Sequence, residues 1–128
     1  MTTRREGGMN LSGILIGTED RERLAEFYTG LFGKPVMEDS GYTSWELGNG
    51  WLTVGAHDQV SGKNAHPGRV IWNLETADVR GEFDRLKAAG AIVVREPYDP
   101  GSPPEGPEML IATLADPDDN YFQLMTPM

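Results

Sequence analysis

Gly13-Ile-Leu-Ile-Gly-Thr-Glu-Asp20 and Ile71-Trp-Asn-Leu-Glu-Thr-Ala-Asp78 decide the fold of this chain, because each opens the same pattern. The first leads into a helix-like stretch ending in Leu31-Phe32-Gly33-Lys34-Pro35-Val36. The second leads into one ending in Ala88-Ala89-Gly90-Ala91-Ile92-Val93. Two weakly similar halves of roughly sixty residues predict paired modules with a cleft between them.

Working outward, Leu11 to Gly17 reads as a strand, and Asp20 is placed to cap a helix. Leu24, Phe27, Tyr28, Leu31 and Phe32 recur at helical spacing, and Gly33 followed by Pro35 stops that helix. Val36 to Glu38, Tyr42 to Leu47 and Trp51 to Gly55 read as three strands, the last two joined at Gly48-Asn49-Gly50. Residues 57–68 read as a polar linker. Val70 to Leu74 is then a strand, and Asp78 to Gly90 a second helix with Val79, Phe83 and Leu86 on one face. Ile92 to Arg95, Met109 to Leu114 and Tyr121 to Met125 complete three more strands. Tyr98 to Pro107 holds four prolines and two glycines and reads as a loop that could cover a pocket. The class is α+β, with two β-α-β-β-β modules: residues 1–9 as a flexible N-terminus, 10–56 as module one, 57–68 as linker and 69–126 as module two.

A chain of 128 residues is long enough for one domain with a real core. Its net charge of -9 argues against a nucleic-acid partner, which needs clustered Lys and Arg, and is compatible with a cationic ligand. The absence of cysteine removes disulfides, thiolate metal sites and Cys nucleophiles. No apolar run reaches membrane-span length and no secretory signal opens the chain, so a cytoplasmic location without membrane contact is expected.

The order and spacing of these residues resemble the vicinal-oxygen-chelate superfamily, the glyoxalase, bleomycin-resistance and extradiol-dioxygenase group. Asp20, Glu26-Phe27-Tyr28 and Leu31-Phe32-Gly33 carry the resemblance in the first half. Asp78, Leu86-Lys87-Ala88-Ala89-Gly90 and Asp116-Pro117-Asp118-Asp119-Asn120-Tyr121-Phe122-Gln123-Leu124 carry it in the second. The resemblance implies two βαβββ modules forming a curled mixed sheet around a concave pocket, and usually a homodimer. It also implies four metal-ligand positions, which fall here on Gly13, Thr53, Ile71 and Gln123.

Glycine and isoleucine have no donor atom, and a hydroxyl and a carboxamide are weak uncharged ligands. No bound metal, no cofactor and no catalytic residue are therefore expected. Strand alternation turns Gly13, Leu15, Trp51, Thr53, Ile71, Asn73, Tyr121 and Gln123 toward the cleft. With Tyr98 from the loop, these are the candidate ligand-binding residues. Leu52, Val54, Phe122 and Leu124 face the core with Ile14, Ile16, Val70, Trp72 and Leu74. His57 and His66 read as loop residues at the cleft mouth, with a ligand role as the alternative. The expectation is a metal-independent binder of a bulky cationic or aromatic compound, of the bleomycin-resistance type associated with antibiotic resistance. The alternative is a metal-dependent lyase, isomerase or dioxygenase-like enzyme.

Overall fold

The computed structural model describes residues 8–128; the expected flexible N-terminus lies almost wholly outside them. Module one contains β1 (Gly13–Thr18), α1 (Arg21–Phe32), β2 (Met37–Asp39), β3 (Tyr42–Leu47) and β4 (Gly50–Ala56). Module two contains β5 (Ile71–Glu75), α2 (Val79–Ala88), β6 (Ile92–Tyr98), β7 (Ile111–Ala115) and β8 (Tyr121–Met125). A 3-10 turn at Pro67–Arg69 precedes β5. The two sheets have orders β1-β4-β3-β2 and β5-β8-β7-β6. In each, the first strand lies parallel to the last and the other pairs are antiparallel. The expected pair of βαβββ modules is present, and the sheets are not closed on each other.

Local chemistry explains both helices. The Asp20 carboxylate accepts the Arg23 amide at 3.1 Å and the Asp78 carboxylate accepts the Gly81 amide at 3.0 Å. Each cap satisfies a first-turn N–H that lacks a helical partner. Leu24, Tyr28 and Leu31 then fall on the buried face of α1, and Val79, Phe83 and Leu86 on that of α2. These faces join one core with Leu52, Val54, Leu114, Phe122 and Leu124. Burying each such side chain stabilises the fold by about 1.5–3 kcal/mol. Tyr28 lies at the centre, with its ring 6.0 Å from Trp45 and 6.4 Å from Phe122.

Polar contacts tie the modules together. Tyr28 donates its hydroxyl proton to Asp116 Oδ2 at 2.7 Å, and Thr18 donates to Asp118 Oδ2 at 2.8 Å. Arg23 Nη1 bonds Asp118 Oδ1 at 2.8 Å. Burial raises the Asp116 carboxyl above the ordinary carboxylate range, against hydrogen bonds from Asn120, Tyr28 and Asp118 that pull it down. Burial first, and the Asp116 charge second, push the Tyr28 hydroxyl well above its ordinary value, so it remains a donor. In the Asp116–Asn120 turn, the Asp116 carboxylate is taken up by the turn's own amides and Tyr28, and the Asp118 carboxylate by Thr18 and Arg23.

The first strand begins at Gly13 rather than Leu11, and three further local expectations change. Val70 lies before β5 and is 70% exposed, so it does not face the helices. The sheet-facing run begins only at Ile71, once the 3-10 turn has ended. Strand β6 extends through Pro97 to Tyr98 rather than ending at Arg95, with irregular register on both sides of Arg95. It is an edge strand, where a residue without an N–H is tolerated. Finally, β7 starts at Ile111, because Met109 and Leu110 still belong to the preceding loop.

Candidate functional site

The strand registers lay out the inner faces, those turned away from the helices. In module one, Met37, Ser44, Thr53 and Leu15 form a row straight across the sheet. Glu46, Trp51 and Gly13 form the row on one side, and Tyr42, Gly55 and Gly17 the row on the other. In module two the row through Gln123 contains Arg95, Thr113, Gln123 and Asn73. It is flanked by Tyr98, Ile111, Met125 and Glu75, and by Ala115, Tyr121 and Ile71.

Thr53 stands beside Leu15 as Gln123 stands beside Asn73. The register therefore makes Thr53 and Gln123 structural equivalents, as Gly13 and Ile71 are. A divalent ion at these four positions would meet no carboxylate and no imidazole. The Thr53 hydroxyl is shared with Ser44 Oγ at 2.9 Å, and Gln123 Oε1 lies 3.5 Å from the Thr113 hydroxyl. A side chain at position 13 would overlap the Trp51 backbone carbonyl, so β1 and β4 can run this close only over glycine. Among the described residues, no group of three or more His, Asp or Glu is arranged to hold a metal ion. The residues present do not fit a divalent metal.

Gly13, Trp51, Ile71 and Asn73 line a cavity of about 540 Å³ where β1 and β5, the facing edges of the two sheets, come near each other. Its walls are mostly apolar, with Leu11, Val70 and Trp72 added to the candidates read from sequence. Leu15 lines a second cavity of about 300 Å³ with Tyr42, Gly55 and His57. There the Tyr42 ring lies where a Gly55 side chain would be, so glycine makes the floor flat. Thr53, Tyr98, Tyr121 and Gln123 line neither cavity but occupy the inner faces by register.

His57 borders the second cavity, half exposed, and its Nδ1 accepts the Gln59 amide at 3.1 Å. His66 is exposed in the linker. Alternation alone missed Tyr42, Ser44 and Glu46, which the two-residue Gly48-Asn49 turn would have supplied by counting back from Trp51, and Met37, which depends on the further turn at Ser40-Gly41. It also missed Arg95, whose face depends on irregular register that leaves no mark in the sequence.

A family model described as the glyoxalase-like domain matches residues 13–125. The chain belongs to the glyoxalase-like family. It is 27% identical over 117 residues to the lactoylglutathione lyase of Arabidopsis thaliana, covering 83% of this chain. It spans only 40% of that relative's length. Two solved structures share the fold. A glyoxalase/bleomycin resistance protein/dioxygenase family enzyme from Burkholderia phytofirmans superposes with TM-score 0.68 at 21% identity, over 94% of this chain and 100% of its own. A glyoxalase-related enzyme from Fulvimarina pelagi superposes with TM-score 0.66 at 24% identity, over 92% and 88%. These likenesses agree with the superfamily expected from the repeated motifs. Among the described residues, no helix is long and apolar enough to cross a membrane.

Proposed function

We propose that this glyoxalase-like chain is a metal-independent small-molecule-binding protein of the bleomycin-resistance type, sequestering a bulky aromatic compound without covalent chemistry. One observation carries the reading: the four positions that would hold a metal are Gly13, Thr53, Ile71 and Gln123, beside a largely apolar cavity with Trp51 at its wall. Such a hollow favours stacking and dispersion with a few oriented polar contacts. The net charge of -9 favours a cationic compound at long range. The protein works as a cytoplasmic homodimer that confers drug resistance by capture. Leu15, Met37, Tyr42 and Trp51, all substantially exposed on one inner face, give a second copy an apolar surface to cover.

The competing reading is a metal-dependent glyoxalase-like lyase or isomerase, or a dioxygenase-like enzyme. Identity to a lactoylglutathione lyase favours it, and the donor set weighs against it. Fluorescence anisotropy with the neutral probe anthracene-9-carboxamide tests the binding reading. Saturable binding tighter than millimolar is expected, weakened about tenfold by Trp51→Ala through lost stacking. Absence of saturable binding would remove the sequestration reading.

A further inference from the structure

The two inner faces offer a guest unequal chemistry. Module one supplies Trp51, Tyr42 and Leu15. Module two supplies the row Arg95, Thr113, Gln123 and Asn73. Arg95 is the notable member. Its guanidinium carbon lies 3.5 Å from the centroid of the Tyr98 ring, flat against an aromatic face. Among the described residues, Arg23, Arg80 and Arg85 each have a carboxylate within 4 Å; Arg21, Arg69 and Arg95 do not, and of these three Arg95 is the one that pairs within a sheet. In a chain this acidic, an arginine without an acidic partner on the ligand face is a positive point left open. Glu75 lies one row away at the opposite edge of the sheet, 3.3 Å from the Met128 amide.

Strand spacing sets the reach. Adjacent strands are about 4.8 Å apart, so Gln123 lies two strands, or roughly 10 Å, in from Arg95. With its Oε1 turned to Thr113, the Gln123 amide keeps its NH2 for a guest. By register Arg95, Thr113 and Gln123 follow one another across the sheet, with the Arg95 guanidinium set over the Tyr98 ring in the adjoining row.

We propose that this row seats a carboxylate carried by the aromatic ligand, with Arg95 as the charged, specificity-determining contact. The inference rests on the binding reading above and narrows it. The net negative charge acts over distance and is screened within about 8 Å at physiological salt. The planar fork of Arg95 acts at contact, where two parallel N–H donors match a carboxylate's two oxygens. Local chemistry therefore outweighs the global charge in deciding which end of the ligand lies on module two.

Three anthracene probes test this by fluorescence anisotropy: anthracene-9-carboxylate, its neutral carboxamide and 9-anthracenylmethylammonium. The carboxylate is expected to bind about tenfold more tightly than either the carboxamide or the ammonium. Arg95→Gln should erase the carboxylate's advantage over the carboxamide, and Arg95→Lys should restore only part of it. Carboxamide binding with no carboxylate preference, or with ammonium preferred, overturns this inference and leaves the binding reading standing. Failure of all three probes to bind overturns both.

Discussion

Across module one, the row through Thr53 contains Met37, Ser44, Thr53 and Leu15; across module two, the row through Gln123 contains Arg95, Thr113, Gln123 and Asn73. The backbone plan is the same, and the chemistry has diverged. One sheet offers carbon surface around a hydroxyl pair, and the other offers amides, a hydroxyl and a guanidinium. In neither does a strong metal donor occupy the central position. Duplicated modules that each kept a ligand for a shared ion would remain alike there. These have become complementary, as suits a guest with an apolar body and a polar end.

The sharpest way to break the comparison is to put a metal donor back at the two equivalent first-strand positions. Gly13→His would drive a side chain into the Trp51 carbonyl, and we expect a loss of about 3 kcal/mol, the upper part of the usual overpacking range. Ile71→His, on a partly exposed side chain, should cost about 1 kcal/mol or less. Urea unfolding of both variants checks this, and equal costs would show that the β1–β4 approach is not the constraint.

The contrast between faces matters only if the modules are held opposite each other, and Tyr28 with Asp116 does much of that. Tyr28→Phe leaves a buried carboxylate oxygen short of one donor and should cost about 2 kcal/mol by the same method. A smaller effect follows from pH. The Asp116 carboxyl is raised in the fold, so the native state holds more protons than the unfolded chain above pH ~4. Its contribution to stability is therefore fully present below that pH, and falls as pH rises through the folded value. Wild type should show its greatest advantage over Asp116→Asn near pH ~4, with the margin narrowing toward neutrality. An advantage that grows with pH would reverse the assignment.

Much of this architecture was readable from the chain. Asp20 and Asp78 announced the helix starts, Gly33 and Gly90 their ends, and period-two alternation placed Leu52, Val54, Phe122 and Leu124 in the core. Alternation also put Gly13, Trp51, Ile71 and Asn73 on the side where the larger cavity opens. What escaped were facts of pairing rather than pattern. Val70 looked like a strand residue by hydrophobicity, but the turn at Pro67–Arg69 delays the strand. Arg95 and Tyr98 share a face only because β6 slips in register around them, and Pro97 masked the strand's continuation. Trp45 has no face by alternation alone; its pairing with Leu52 across the hairpin sets it on the core side, where its indole N–H reaches the Gly33 carbonyl at 2.9 Å.

Isothermal titration calorimetry of zinc and of nickel into chelator-treated protein addresses the central claim most directly. With Gly13, Thr53, Ile71 and Gln123 as the available side chains, the account predicts no stoichiometric site tighter than about 100 µM, or some 5.5 kcal/mol. One equivalent bound at sub-micromolar affinity and abolished by Gln123→Ala would contradict it.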